Sequence, residues 1–227
     1  MLKVKQQYSL KNHNTLRLAT VAAHFVRVTT VGHIEEAIRY AVMHGLTIFP
    51  IGEGSNVVLQ DVSNALVLSV NLSGIKILQE GDNDIVLRVA AGEQWHSLVE
   101  MTVANGWFGL ENLALIPGTA GAAPVQNIGA YGVEISEFIE AVHYLEINQG
   151  DRKTFAVHVL DKANCQFAYR DSIFKQTLAD KALITAIDLR LSKTPALNLR
   201  YPALIDYFAQ HESISCLLYT SDAADES

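Results

Sequence analysis

Two stretches of the chain carry apolar residues at the spacing of an α-helix. From His33, apolar side chains recur at intervals of three and four residues, and Gly45 stands where such a helix would end. A second stripe runs between Gln94 and Asn105 and stops before Gly106. Because these intervals place each stripe on one helix face, we predict two amphipathic helices. The stripes consist of Ile34, Ala37, Ile38, Ala41 and Val42, and of Trp95, Leu98, Val99, Thr102 and Val103.

Short runs rich in β-branched and aromatic residues lie before, between and after these helices. Gly, Asn, Asp and Pro residues, which favour turns, separate several of them. The alternation of strands with helices predicts a mixed α and β fold. The predicted strands are residues 24–28, 46–51, 65–70, 75–78, 85–90, 141–147, 153–157 and 182–191.

Composition and charge exclude several classes of protein. The chain has 227 residues, 49 % hydrophobic and 18 % charged, as in an ordinary globular protein. Its formal net charge of -7 argues against a nucleic-acid partner, which requires a basic surface. No apolar run is long enough to span a membrane, and residues 1–12 lack an apolar signal-peptide core, so we predict a cytoplasmic protein. Cys165 and Cys216 lack metal-type spacing and are interpreted as isolated thiols.

Residues 109–134 form the most unusual stretch of the chain. The sequence GLENLALIPGTAGAAPVQNIGAYGVE is rich in Gly, Ala and Pro and has only two charged residues, Glu111 and Glu134. A long exposed loop is normally polar, so this stretch is expected to be ordered against a partner. We interpret that partner as a flat cofactor that carries phosphate groups.

A second Gly-rich segment, residues 52–56 (GEGSN), directly follows a predicted buried strand. Glycine allows close backbone approach, and successive N–H groups can form a nest for an anion. A tight turn without a ligand would have the same composition, so this segment alone is weak evidence. It lacks the Lys-Ser/Thr pair of a P-loop and precedes no helical pattern, so neither an NTPase nor a Rossmann fingerprint is supported.

The two Gly-rich segments together predict a dinucleotide cofactor. Both lack lysine, so backbone N–H groups alone would hold the diphosphate, while Ile116, Pro117 and Ile128 could lie along a flat ring system. Arg170, beside Tyr169, suits a bidentate grip on one carboxylate or phosphate, and a structural ion pair is the alternative. These features favour a flavin over a nicotinamide cofactor.

Two residues at the start of the second predicted helix have alternative interpretations. Trp95 and His96 are candidate cofactor contacts. The alternative is that they are one core residue and one surface residue of an amphipathic helix. The pattern of apolar positions favours the second interpretation.

Four motifs, in a fixed order and spacing, carry a resemblance to a known family. They are IGEGSN (51–56), AGEQWHSLV (91–99), the stretch 109–134 and YRDSIFK (169–175), and the NT pair at 14–15 and RYPALIDYF at 200–208 are also similar. The chain resembles the UDP-N-acetylenolpyruvoylglucosamine reductase (MurB) family of bacterial cell-wall synthesis over residues 10–212. The long central motif is highly specific.

The resemblance implies a two-lobed FAD-binding unit of the vanillyl-alcohol-oxidase (PCMH) type, α+β or α/β, followed by a smaller α/β substrate domain. In the family, NADPH reduces FAD, and the flavin delivers hydride to the enolpyruvyl double bond of a UDP-sugar, forming UDP-N-acetylmuramate. Residues 52–56 would hold the diphosphate, and residues 116–132 would wrap the ribityl chain and isoalloxazine. The implied cofactor-binding residues are Gly52, Glu53, Gly54, Ser55, Asn56, Ile116, Pro117, Gly118, Gly121, Ala122, Ala123, Gln126, Asn127, Ile128, Gly129, Tyr131 and Gly132.

The resemblance also implies roles beside the substrate. Arg170 matches the arginine near the substrate carboxylate, where it would stabilise the enolate that forms as hydride adds. Tyr169 and Tyr201 correspond to positions that contact the substrate. Asp171 is expected to be a turn or supporting residue, because the family's proton donor lies elsewhere.

The chain departs from the family in its C-terminal part. The family's proton-donating serine lies in a GSFFKNP-type motif of the substrate domain, which is followed by an assisting glutamate, and no such motif is present here. We therefore expect a C-terminally truncated member that binds FAD but does not complete the reaction. The expected parts are two FAD-binding lobes (1–72 and 73–195), the start of the substrate domain (196–215) and a non-native tail (216–227), with a natural frayed terminus as the alternative.

Two other functions remain open. A flavin oxidase or dehydrogenase of the same fold would act on another substrate, and such enzymes often tether FAD through His or Cys. Neither residue type occurs in the two Gly-rich segments, which favours the reductase. A non-catalytic FAD-binding module is the other alternative. We predict a monomer without a membrane, nucleic-acid or metal partner.

Overall fold

The structure, a computed structural model, describes residues 2–147 and 155–195 and contains two main β-sheets. Two α-helices lie on them, α1 (Val31–Met43) and α2 (Trp95–Ala104), and two 3-10 turns cover Glu111–Leu113 and Ile135–Glu137. The strands are β1 (Lys5–Ser9), β2 (Val21–Val28), β3 (Thr47–Ile51), β4 (Val62–Val70), β5 (Ile75–Glu80), β6 (Asp84–Ala90), β7 (Gly129–Ala130), β8 (Val133–Glu134), β9 (Ile139–Glu146), β10 (Val157–Asp161) and β11 (Ala182–Ser192).

The first sheet has the order β1-β2-β4-β3 and is parallel except for β1. Helix α1 connects the parallel strands β2 and β3, and the Oγ1 atom of Thr30 caps its first turn by accepting from the His33 N–H at 3.2 Å. Its buried face has four residues of the predicted stripe, Ile34, Ala37, Ile38 and Ala41. Val42 was predicted to share that face but is 45 % exposed, because the stripe is narrower than the sequence spacing suggested.

The second sheet has the order β10-β9-β11-β6-β5, and every neighbouring pair is antiparallel. Helix α2 buries Trp95, Leu98, Val99 and Thr102, four of the five residues of the predicted stripe, and Val103 is half-buried. Most of the hydrophobic residues buried under the second sheet belong to one cluster that also includes residues of the first sheet and α1, so the two sheets share a hydrophobic core. A smaller cluster, which includes Phe25, lies between the first sheet and the N-terminal segment.

An ion-pair network crosses three strands of the second sheet. Asp188 on β11 accepts two hydrogen bonds of 2.7 Å from Arg88 on β6, and it bonds to His143 on β9 at 2.9 Å. Burial alone would raise the pKa of Asp188, but the bonds from Arg88 and His143 together outweigh it and lower that pKa. The network therefore compensates a buried carboxylate and joins the strands side by side.

One strand was not predicted, and three others differ in position from their predictions; among these, β2 begins at Val21, three residues before its predicted start. Strand β1 was not among the predicted strands, because its mostly exposed residues give no clear apolar alternation; pairing with β2 makes it a strand. Strand β4 begins three residues before the predicted start, because Val62 pairs with Ala22 on β2. Strand β10 covers Val157–Asp161 rather than residues 153–157, of which 153 and 154 lie outside the described residues.

The predicted boundary between the two lobes stays a prediction. The first sheet ends at Val70 and the second begins at Ile75, so the boundary proposed between residues 72 and 73 falls in the connection. The proposed parts beyond residue 195 lie outside the described residues. Within the described part of the chain, neither α-helix has the length and apolar character needed to cross a membrane.

Candidate functional site

The fold brings the two Gly-rich segments together, although they are far apart in sequence. The Ser55 hydroxyl donates to the Pro117 carbonyl at 3.1 Å, and the Asn56 amide donates to Gln126 Oε1 at 2.8 Å. Residues 52–56 follow β3, and the central stretch returns from α2 to meet them. The predicted pairing of the segments is thus observed as two direct hydrogen bonds.

A pocket of about 320 Å³ lies between these segments. Its walls combine backbone, small side chains and apolar side chains, and Glu53 and Lys175 are its two charged lining residues. The lining comprises residues 50–57, Trp95, Ile116, Pro117, Gly118, Thr119, Ala122, Ala123, Val125, Gln126, Ile128 and Lys175. Twelve of the seventeen predicted cofactor residues therefore surround one cavity: Gly52, Glu53, Gly54, Ser55, Asn56, Ile116, Pro117, Gly118, Ala122, Ala123, Gln126 and Ile128.

Close backbone packing explains two of the glycines. Gly54 has a φ of +70°, and a Cβ there would lie 2.2 Å from the His13 carbonyl oxygen. Gly121 packs against α2's preceding turn, where a Cβ would lie 2.5 Å from that of Ala91. Gly121 lines an adjoining apolar cleft of about 210 Å³ instead of the pocket itself. Both positions need glycine for reasons of packing.

The pocket offers the donors that a diphosphate requires. Within residues 2–147 and 155–195, the backbone N–H groups of residues 53–56 have no hydrogen-bond acceptor. Consecutive unbonded N–H groups beside a cavity form an anion nest. Ile116, Ile128 and Trp95 add apolar surface for a planar ring system. The residues present therefore fit a dinucleotide with a flat ring, as FAD has.

Helix α2 fixes the start of the central stretch. Trp95 is 1 % exposed, its backbone N–H donates to the Gly118 carbonyl at 3.0 Å, and its indole N–H donates to the Leu113 carbonyl at 2.8 Å. His96 accepts from the Leu115 N–H at 3.2 Å and is not among the pocket-lining residues. Trp95 is thus a core residue with one edge on the pocket, and His96 supports the loop.

Besides Gly121, four predicted cofactor residues lie outside the pocket lining. The buried side chain of Asn127 donates to Glu134 at 2.7 Å and to the Ala168 carbonyl at 3.1 Å, and it accepts from the Ser136 N–H at 3.1 Å. The others, Gly129, Tyr131 and Gly132, belong to the β7–β8 hairpin, in which Tyr131 and Gly132 have φ values of +49° and +79°. Their bonds and turn conformation brace the loop, and direct cofactor contact remains a prediction for them.

Arg170 is attached to this hairpin. Its guanidinium donates to the Gly129 carbonyl at 2.8 Å, and its Cζ lies 5.9 Å from the ring centroid of Tyr169, which is 81 % exposed. Among the described residues no carboxylate pairs with Arg170, so the alternative of a structural ion pair is not observed there. Asp171 accepts from Ser172 and Gln176, which suits a turn residue. Tyr201 lies outside the described residues.

Sequence reasoning did not select two polar residues of the lining. Thr119 packs directly against Gly52 in the lining, where a Cβ on Gly52 would lie 2.8 Å from the Thr119 Oγ1 atom. Lys175 donates from Nζ to the Arg170 carbonyl at 2.9 Å. Thr119 lies in the central motif and Lys175 ends the YRDSIFK motif, so position within these motifs was the available signal.

Comparisons with known proteins agree with this geometry. Residues 22–155 match the FAD binding domain family. The chain is 39 % identical over 201 residues to the UDP-N-acetylenolpyruvoylglucosamine reductase of Chromobacterium violaceum, covering 88 % of this chain and 58 % of the relative. It is 41 % identical over 202 residues to the enzyme of that name from Shewanella oneidensis, covering 89 % and 58 %. The chain thus spans just under three fifths of these relatives.

Solved structures show the same fold. The UDP-N-acetylenolpyruvylglucosamine reductase (MurB) of Thermus caldophilus superposes with a TM-score of 0.67 at 22 % identity, covering 100 % of this chain and 70 % of that one. A solvent-stable cholesterol oxidase superposes with a TM-score of 0.60 at 13 % identity over 85 % of this chain and 38 % of the oxidase. These comparisons confirm the predicted two-lobed FAD-binding fold and the predicted resemblance to the UDP-N-acetylenolpyruvoylglucosamine reductases. The chain belongs to the FAD binding domain family.

Proposed function

We propose that this chain is the FAD-binding part of a UDP-N-acetylenolpyruvoylglucosamine reductase. The complete reaction would use NADPH to reduce the enolpyruvyl group of a UDP-sugar and form UDP-N-acetylmuramate for peptidoglycan synthesis. The observation that carries the proposal is the pocket between residues 52–57 and 116–128, whose two sides are hydrogen-bonded to each other. Similarity to curated reductases along 88 % of the chain supports the choice of reaction.

The N–H groups of residues 53–56 would hold the FAD diphosphate. They are consecutive and lack acceptors among the described residues, so an anion would complete their hydrogen bonding. Ile116 and Ile128 would contact the apolar faces of the ring system, and the buried Trp95 would add apolar surface to the same lining. When bound, FAD would supply hydride transfer between NADPH and substrate.

Arg170 is the proposed catalytic residue and Tyr169 a substrate-binding residue. The guanidinium is fixed by the Gly129 carbonyl and has no carboxylate partner among the described residues, so most of its donors are available to a ligand carboxylate. A cation there would stabilise the negative charge that develops on the substrate as hydride adds. The proposal for Tyr201 follows the family motif alone.

The 227 residues are expected to perform only part of the reaction. No segment resembles the GSFFKNP-type motif to which the family resemblance assigns the proton donor, and the chain spans 58 % of its curated relative. Loss of a general acid costs about 10²–10⁴-fold in rate. We therefore expect FAD binding without measurable NADPH oxidation dependent on the enolpyruvyl sugar.

Titration with FAD tests this proposal directly. The purified 227-residue chain, freed of flavin, should quench FAD fluorescence with saturation at one FAD per chain. Adding NADPH and the enolpyruvyl UDP-sugar should give no turnover above a protein-free control. Absence of saturable FAD binding would contradict the cofactor assignment, and normal turnover would contradict the proposed division of labour.

Another flavoenzyme activity is the alternative, since a cholesterol oxidase shares the fold. Such an enzyme often holds FAD covalently through His or Cys, and the residues that line the pocket include neither. Acid precipitation of the loaded protein should therefore release all of the FAD. Retention of flavin in the pellet would favour an oxidase. We also expect a cytoplasmic monomer. Size-exclusion chromatography of the purified chain would test the oligomeric state.

A further inference from the structure

Lys175 brings a charge to the pocket that neither Gly-rich segment contains. Its side chain shares the lining with residues 50–57, and its ammonium donates to the Arg170 carbonyl oxygen at 2.9 Å. Within residues 2–147 and 155–195, the ion pairs of Asp and Glu involve other cations. The positive charge of Lys175 is therefore not neutralised by a carboxylate of the described chain.

The charge balance of the pocket depends on this residue. Glu53 and Lys175 are the charged lining residues, so their formal charges sum to zero. Glu53 lies in the segment proposed to hold the diphosphate, and its carboxylate opposes a second anion there. Without Lys175 the lining would carry a net negative charge, which disfavours binding of any phosphate-bearing ligand.

The geometry also leaves the ammonium able to bind a ligand. An ammonium has three N–H donors, and the bond to the Arg170 carbonyl uses one. This bond restricts a long and otherwise flexible side chain to the pocket wall. Two donors then remain for phosphate oxygens, and hydrogen bonds from a charged donor to phosphate are among the stronger ones in proteins.

We propose that Lys175 is a cofactor-binding residue that supplies the positive charge for the FAD diphosphate, with the Arg170 carbonyl holding its side chain in place. The inference rests on the proposed FAD function and differs in one part from the sequence prediction, in which backbone N–H groups alone hold the diphosphate. Lys175 thereby links the diphosphate-binding side of the pocket to the segment that carries Arg170.

Lys181 provides a matched control on the same segment. Its ammonium also donates to a backbone carbonyl, that of Thr177, at 3.1 Å, but Lys181 does not line the pocket. Both side chains are exposed lysines with one backbone acceptor. A change at Lys181 therefore reproduces the loss of a surface lysine without altering the charge of the lining.

The experiment compares the FAD dissociation constants of five forms of the 227-residue chain at low and high salt. We expect Lys175→Met to weaken FAD binding about fivefold to tenfold and to reduce its dependence on salt. Lys175→Arg should restore affinity to within about twofold of the wild type, since it keeps the charge and the donors. Lys181→Met should bind FAD like the wild type, and its melting temperature controls for folding.

A charge-balance variant makes the test sharper. Combining Lys175→Met with Glu53→Gln returns the formal charge of the lining to zero, so FAD binding should recover most of the loss. Equal affinity of the wild type and Lys175→Met would overturn the inference, as would failure of both Lys175→Arg and the double variant to recover binding. If the wild-type chain itself does not bind FAD, the proposed function fails instead.

Discussion

The two parts of the central stretch are alike in composition but differ in what their side chains contact. In residues 116–126, the side chains of Ile116, Thr119 and Gln126 line the pocket, and Gln126 bonds across it to Asn56. In residues 127–134, Ile128 also lines the pocket, but Asn127 bonds to protein groups, and the Gly129 carbonyl of the hairpin accepts a hydrogen bond from Arg170. The first part mainly lines the pocket, and the second mainly braces it.

This difference shows what an uncharged Gly-rich stretch does and does not predict. Such a stretch must be ordered against something, because its backbone polar groups need partners. The partner can be a cofactor, as proposed for residues 116–126, or other parts of the protein, as observed for residues 127–134. Ligand affinity should therefore respond to changes in the first part, and folding stability to changes in the second.

The largest effect is expected from Asn127→Ala. The change removes three hydrogen bonds of a buried amide and leaves the Ser136 N–H and a Glu134 oxygen without that partner. We expect the free energy of unfolding, measured with urea, to fall by about 2–4 kcal/mol. The control is Asn105→Ala, which removes one exposed bond to the Met101 carbonyl. Unchanged stability together with lost FAD binding would show that Asn127 contacts the cofactor instead.

A smaller effect, and on another property, is expected from Gln126→Ala. Because its bond to Asn56 is exposed, stability should change by less than about 0.5 kcal/mol. FAD affinity, measured by fluorescence titration, should fall about threefold to tenfold as the two sides of the pocket lose a connection. Gln176→Ala is the matched control, since its exposed amide bonds to Asp171 away from the lining. Equal affinities of the two variants would contradict a pocket role for Gln126.

The smallest effect should come from Glu111, which precedes both parts. Burial raises the pKa of this carboxyl from 4.5, although backbone N–H groups oppose the shift. Because the pKa is higher in the folded chain, Glu111 loses its proton at a lower pH in the unfolded chain. The free energy of unfolding therefore falls as the pH rises from the unfolded to the folded pKa. Across that pH window, the free energy of unfolding of Glu111→Gln should rise relative to that of the wild type, as measured by urea titrations at several pH values. Its FAD affinity should be unchanged. A relative loss with rising pH would contradict the assignment.

Sequence pattern predicted those parts of the fold that depend on local periodicity. Helices α1 and α2 were expected from apolar spacing and are present, since burial of one stripe stabilises each of them. Strand β1 was missed because Lys5–Ser9 is mostly exposed, and only the pairing with β2 makes it a strand. An edge strand of this kind has little signal in its own residues.

The candidate site, like the fold, was predictable only in part. The two Gly-rich segments were expected to meet, because their composition and motif order implied a shared ligand, and they do meet. The division between lining and bracing residues was not predictable, since it depends on long-range hydrogen bonds such as that from Asn127 to Ala168. Lys175 was missed because it reaches the pocket from a third segment, which lies far in sequence from the two Gly-rich segments.

Hydrogen exchange of the backbone amides would show which segments bind FAD. We expect saturating FAD to slow exchange in peptides covering residues 52–57, whose N–H groups at 53–56 lack acceptors in the described chain. Peptides confined to the hairpin, residues 129–134, should change much less, because their partners are already protein groups. Unchanged exchange at residues 52–57 in a chain that binds FAD would contradict the proposed cofactor pocket.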